Sequence, residues 1–164
     1  MRYTILAVDD EPANLRMVER LLRKDYRVLT ASSGEEGLEI LRRESVDLIV
    51  TDQRMPGMSG TDLLRESMQT RPDAVRIILT GFSDVDALIE AINTSRVYKF
   101  VSKPWDPVNL KSIIDNAMNE HQRQADMKRL VNDVVRLVQS YPGLFIGEGD
   151  DALSALDEPV DQVC

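Results

Sequence analysis

Apolar and polar residues alternate in blocks along the first two thirds of this chain. Short runs rich in β-branched residues are followed by longer stretches with helical spacing. Tyr3 to Val8 is the first apolar run, and Leu15, Val18, Leu21 and Leu22 then repeat at intervals of three and four. Arg27 to Ala31 is the second run, and Glu35 to Arg43 follows as a helix burying Leu38 and Leu41. Val46 to Val50 begins a third strand that ends on Asp52, and Thr61 to Thr70 buries Leu63, Leu64 and Met68. Val75 to Thr80 is the fourth run. A helix capped by Ser83 or Asp84 should follow, with Val85, Leu88, Ile89 and Ile92 on its inner face. Val97 to Ser102 is the fifth, and a long helix opens at Pro107, a residue suited to a first helical turn.

Five strand–helix repeats without hairpin signals predict an α/β fold. Continuous apolar strands fit a parallel sheet covered on both faces, and the short connections agree. The expected architecture is a doubly wound five-stranded parallel sheet with the flavodoxin-like order 2-1-3-4-5 and an extended C-terminal helix. In such sheets ligands sit beyond the carboxyl ends of the strands, at the switch point beside strands 1 and 3. Asp9 and Asp10 follow strand 1, and Asp52 ends strand 3. The order therefore predicts three carboxylates at one mouth.

Adjacent carboxylates repel each other, and a hard divalent cation such as Mg²⁺ resolves the repulsion. Thr80 brings a hydroxyl at the end of strand 4, Gly81 leaves room beside it, and Lys103 brings an ammonium after strand 5. A carboxylate nucleophile flanked by a metal, a cation and a hydroxyl suits phosphoryl transfer to an acyl phosphate. Competing chemistries lack parts. Neither a Walker sequence nor a G-x-G-x-x-G is present. The single histidine, His121, lies in a polar helical stretch and reads as a solvated residue, and the single cysteine is Cys164.

The net charge of −8 argues against direct nucleic-acid binding. No apolar run approaches the ~20 residues of a membrane helix. The immediate start of a strand and the lone thiol point to the cytoplasm.

Asp9-Asp10-Glu11-Pro12, Asp52 with Met55-Pro56-Gly57-Met58-Ser59-Gly60, Thr80-Gly81 and Lys103-Pro104 occur in this order. Together they resemble the response-regulator receiver domain of two-component signalling, over residues 1–122. The resemblance implies that Asp52 accepts a phosphoryl group from a histidine kinase or phosphotransfer protein, a switch rather than an enzyme. It implies Mg²⁺ held by Asp10, Asp52, the Arg54 backbone carbonyl and, through water, Asp9. It implies Lys103 and Gly81 at the phosphate, Thr80 as switch hydroxyl, and a cis bond before Pro104. The stretch from Ala91 to Asp106 is similar to receivers attached to HD-type cyclic-dinucleotide phosphodiesterases. Two residues depart from the pattern. Phe100 stands where many receivers carry a switch tyrosine. Ser95 stands where relatives usually have glycine, which leaves Asn93 or Ser95 to take any left-handed turn.

The implied switch alters the surface of the fourth predicted helix, the fifth strand and the fifth helix, and so controls binding of an unknown downstream protein or dimerisation. Arg54 and Phe82 flank the expected water path to the acyl phosphate.

The fifth helix should pack Leu110, Ile113, Ile114, Ala117 and Met118 on the sheet and continue as a helical extension over 123–140. Its distal part either pairs with a second subunit, along a seam of Ile114, Ala117, His121, Gln124, Lys128, Val131, Val135 and Val138, or folds back or docks a partner. The acidic stretch 141–164 reads as disordered. The alternative from another class is a Mg²⁺-dependent phosphatase with an aspartyl nucleophile. Such enzymes usually carry D-x-D at strand 1, where this chain has adjacent Asp9-Asp10.

Overall fold

The computed structural model describes residues 2–81, 89 and 93–141. Most of the predicted helix after Gly81, its Ser83 or Asp84 cap, Phe82 and the tail beyond Tyr141 lie outside the described residues. The chain divides into two units, Met1–Gln122 and Arg123–Cys164.

In the first unit β1 (Thr4–Val8), β2 (Arg27–Ala31), β3 (Leu48–Asp52), β4 (Val75–Thr80) and β5 (Lys99–Ser102) form one parallel sheet, in the order β2-β1-β3-β4-β5. Among the described residues, the helices with defined bounds are α1 (Pro12–Leu22), α2 (Gly34–Arg43), α3 (Gly60–Thr70) and a long α4 (Pro107–Ser140), whose residues from Arg123 onward belong to the second unit. Every residue of β1 and β3 is buried.

The strand period of two divides the core. Ile5, Ala7, Leu48, Val50, Ile77 and Leu79 face one way, onto Val18 and Leu22 of α1 and Leu110, Ile114, Ala117 and Met118 of α4. Leu6, Val8, Ile49 and Ile78 face the other, onto Leu38 and Leu41 of α2 and Leu63 and Leu64 of α3. Each fully buried Leu or Ile contributes about 2 kcal/mol of transfer free energy, so both layers are needed to hold the central strands.

Three local features differ from the sequence reading. Asp47 is a lock beside β3 rather than part of it. Its backbone N–H donates to the Thr4 carbonyl (2.9 Å), and its carboxylate accepts the Thr4 N–H (2.8 Å). The left-handed residue is Arg96 (φ 46°), not Asn93 or Ser95. Ser95 is helical and wholly buried, so the reversal falls on the next residue, where a helix commonly ends in that conformation. Ile89, expected on an inner helix face, is 55% exposed.

Two side-chain networks tie the unit together away from the carboxyl ends of the strands. Lys111 on α4 bridges Asp115 (2.8 Å) and Asp25 (3.0 Å), and the Tyr26 hydroxyl donates to Asp115 (2.6 Å). Near the start of β4, Arg76 is 1% exposed. Its guanidinium donates to the Ser67 hydroxyl (2.9 Å) and to the carbonyls of Ala74 (2.6 Å), Arg71 (2.6 Å) and Pro72 (3.3 Å). Burial pulls this group down to about 10, and the field of Arg96 acts in the same direction. It remains a cation at neutral pH.

Candidate functional site

Asp9 follows β1 directly, and Asp52 is the last residue of β3. Because β1 and β3 are neighbours in register, with Val8 opposite Thr51, the two carboxylates leave the sheet side by side. Asp10 is exposed next to them. One oxygen from each of Asp9, Asp10 and Asp52 lies within 4.8 Å of the others. Just after β5, Lys103 reaches back so that its Nζ stands 2.6 Å from Asp52 Oδ1. Thr80, at the end of β4, is buried and donates its hydroxyl to the Gly81 carbonyl (3.0 Å). Among the described residues, a Cβ at Gly81 would meet nothing within 4 Å. The Lys103–Pro104 peptide bond is cis.

The electrostatics are in tension. Burial holds the Asp52 carboxyl above the ordinary aspartate range. The hydrogen bond and charge of Lys103 oppose this, and the charge of Asp9 adds to it. Its surroundings thus only partly offset the cost of charging Asp52. Asp9 is better satisfied: its oxygens accept the Glu11 N–H (2.8 Å) and the Asn14 amide (3.0 Å). The donor set of carboxylate oxygens beside an open mouth matches the preference of Mg²⁺ for oxygen ligands and retained waters.

The connection from β3 to α3 is built around backbone proximity. A Cβ on Gly60 would overlap the Asp52 carbonyl oxygen, so only glycine lets α3 begin so close to the acid. Gly57 takes φ 78°, which turns the chain after Pro56. The amide of Gln53, the residue after Asp52, accepts the Thr61 N–H (3.0 Å) and donates to the Thr61 hydroxyl (3.3 Å). Ser59 and Asp62 close a capping box over the first turn of α3. Across the loop, the Met58 N–H donates to Glu35 of α2 (3.2 Å). Arg54 lies exposed within this loop.

Asn14, Gln53 and Glu35 were not singled out from the sequence. Each is a polar side chain whose partner is set only by tertiary structure. The nearest signal was their position, since Asn14 falls in the first turn after the acidic pair and Gln53 adjoins Asp52. Phe100 on β5 is half-buried against the α2–α3 side of the core. His121 is half-buried rather than solvated. It packs edge-on against Tyr3 (6.1 Å between ring centres) and lines a cavity of about 220 Å³ with Asp47, Arg71 and Asp73. That cavity lies at the amino ends of β3 and β4, far from the acids. Among the described residues, no helix is long and apolar enough to cross a membrane.

Comparison with known proteins follows the same lines. Residues 5–115 match the response regulator receiver domain family. The chain is 38% identical over 127 residues to the hydrogenase transcriptional regulatory protein HoxA of Cupriavidus necator, covering 77% of this chain and 26% of that protein. The chain spans about a quarter of the length of the curated relatives it matches. Among solved structures, an adenylate cyclase from Rhodopirellula baltica superposes with a TM-score of 0.75 at 30% identity, over 80% of this chain and 98% of that one. The signal receiver domain of an HD domain-containing protein from Pseudomonas fluorescens superposes with a TM-score of 0.71 at 31% identity, over 75% of this chain and 99% of that one. The phosphatase alternative finds no support in these matches.

Proposed function

Because the chain belongs to the response regulator receiver domain family, we propose that it is a phosphoacceptor switch in which Asp52 is the acceptor. The observation that carries this reading is the convergence of Asp9, Asp10 and Asp52, with Lys103 2.6 Å from Asp52, at the ends of adjacent strands. The donor is a phosphorylated histidine of a sensor kinase or phosphotransfer protein, or a small acyl phosphate. An oxygen of Asp52 forms a bond to phosphorus as the bond from phosphorus to the donor nitrogen or oxygen breaks. The donor leaves with the bonding electron pair, and the product is an aspartyl phosphate.

Asp10, Asp52 and the Arg54 carbonyl would hold Mg²⁺, with Asp9 acting through water. Bound there, the ion screens the repulsion among the acids and offsets charge on the phosphoryl oxygens. Lys103 stays in place to pair with a phosphoryl oxygen once the acid is esterified. Thr80 turns its hydroxyl from the Gly81 carbonyl toward the new acceptor oxygens, and Gly81 keeps that approach clear. Phe100 then moves into the space Thr80 vacates, which changes the outer surface at β5. Phosphorylation biases an existing equilibrium between the two arrangements. Arg54, exposed beside the site, is placed to set how readily water reaches the acyl phosphate.

The downstream reader is a protein, in keeping with the net charge of −8, and the compartment is the cytoplasm. The name of the HoxA relative indicates transcriptional regulation. We extend to this chain only the switch, which supplies such an output with its signal.

The test is intact-mass measurement after incubation with acetyl phosphate and Mg²⁺. One added phosphoryl group is expected, absent in Asp52→Asn and abolished by EDTA. An adduct that survives in Asp52→Asn would overturn the assignment of the acceptor. Fluoroberyllate titration followed by NMR tests the switch, with shift changes expected at Thr80, Phe100 and β5.

A further inference from the structure

One side chain that the phosphoryl chemistry does not use pins the connection from β3 to α3. Gln53, directly after Asp52, is 6% exposed. Its backbone N–H donates to the Leu79 carbonyl of β4 (3.0 Å), and its carbonyl accepts the Gly60 N–H (3.0 Å). Its side-chain oxygen accepts the Thr61 N–H (3.0 Å), and its side-chain nitrogen donates to the Thr61 hydroxyl (3.3 Å). That hydroxyl is also 3.0 Å from the hydroxyl of Ser59, which caps α3. Gln53 thus holds the sheet through its backbone, and the first turn of α3 through backbone and side chain together. Residues 54–59 form a loop whose two ends are fastened to one residue.

A methionine of similar size would fill the same buried space. What the amide adds is the pair of hydrogen bonds to Thr61, which also compensate its own burial. The first residue of the loop is Arg54. It is exposed between two buried neighbours, Gln53 and Met55, and Met55 packs in the core with Leu63 and Leu64. Farther along, Glu35 of α2 accepts the Met58 N–H (3.2 Å). The backbone at Arg54 is therefore held from both sides before any ligand arrives.

We propose that Gln53 is a positioning residue for the divalent cation: its clamp on Thr61 keeps the loop in the form in which the Arg54 carbonyl serves as a ligand. This rests on the reading of that carbonyl as a ligand beside Asp10 and Asp52. A loop without the clamp has to be ordered as the ion binds, and the entropy lost is subtracted from affinity. Once the ion is bound, the site is the same with or without the clamp. The effect therefore falls on affinity for the ion and not on the transfer step.

The probe is Mg²⁺ alone, titrated into the full chain by calorimetry. Gln53→Met should raise the Kd about tenfold, the low end of what is lost when a group that orients a metal ligand is removed. The Mg²⁺ concentration that half-saturates adduct formation from acetyl phosphate should rise by the same factor. The rate at saturating Mg²⁺ should stay within about twofold of the parent. Ile114→Val, in the core layer on the other face of the sheet, should lower the melting temperature and leave the Kd unchanged, which separates positioning from general stability. Thr61→Val keeps Gln53 and the backbone contact but removes the hydroxyl. It should raise the Kd by a smaller factor, and it decides the question if Gln53→Met does not fold. Parent affinity in the variant that folds, or an equal loss in Ile114→Val, would overturn the inference and leave the acceptor site standing. So would a fall in the saturated rate with no change in Kd. A parent chain that takes up no Mg²⁺ would overturn the ligand reading itself, and this inference with it.

Discussion

The two ends of the sheet both bury charge, and they do so in opposite ways. Near the amino end of β4, Arg76 is enclosed by a hydroxyl and three carbonyls that all accept from it. At the carboxyl end, Asp52 has one cation beside it and a second acid pressing on it. The first arrangement is closed: its partners belong to the protein and nothing further is required. The second is open, because its charges are balanced only when something outside the chain joins them. Burial of a charge therefore does not mark a function by itself. The mark is a buried charge whose neighbours conflict with it beside a space that an ion or a phosphoryl group can enter.

Breaking the closed end should have the largest effect. Arg76→Leu removes the cation and, with it, a donor to the Ser67 hydroxyl and to the carbonyls of Arg71, Pro72 and Ala74, of which the Arg71 carbonyl keeps the Ala74 N–H (3.2 Å). A loss of about 3 kcal/mol is expected, which lowers the melting temperature by about 10 °C. Protein that remains folded should still take up one phosphoryl group, since Arg76 lies far from the acids. Calorimetry and intact mass on one sample would check both halves.

Lys103→Ala reverses the pattern. Its side chain is one third exposed, so the fold should change little. Adduct formation from acetyl phosphate should slow by about 100-fold, the usual cost of removing one preorganised charge from a transfer site. A time course by mass measures it.

Gly60→Ala falls between the two ends in kind. The added methyl group overlaps the Asp52 carbonyl oxygen, so α3 or Asp52 has to move, at a cost of about 2 kcal/mol. Both the melting temperature and the adduct yield should fall together, which separates this variant from the other two.

The smallest effect concerns stability against pH. Asp52 is raised in the folded protein, so protonation favours folding, and that contribution is lost as pH rises through the folded pKa. In EDTA, Asp52→Asn should therefore be the more stable protein at neutral pH. The difference should shrink as pH falls into the carboxylate range. Melting curves across that range would show an advantage for the parent at neutral pH if the sign is wrong.

The open end was largely readable in the sequence because its residues sit at strand ends, and strand ends are legible from apolar runs. Once β1 and β3 were taken as neighbours, Asp9, Asp10 and Asp52 had to meet, and in the structure they do. The closed end was not readable. Arg76 sits in the run VRIILT, where a period of two gives no hint that its head turns back toward the preceding loop. Asn14 and Gln53 escaped for the same reason, since a polar side chain's partner is a tertiary fact. The long helix misled in a different way. Ile114 and Ala117 fit a heptad with Val131 and Val138, but a heptad cannot say that its first members are already spent on a core.

The Arg76 cluster also bears on where this chain tolerates insertion. The turn between α3 and β4 is short and outward-facing at Pro72 and Asp73, the kind of site usually chosen for a tag, a cut or new termini. Yet Arg71, Pro72 and Ala74 each give a carbonyl to one guanidinium, so their spacing is set by a side chain they surround. Adding residues there would separate the acceptors as surely as removing the arginine. For anyone grafting a reporter onto this domain, an accessible loop is here as fixed as a core position.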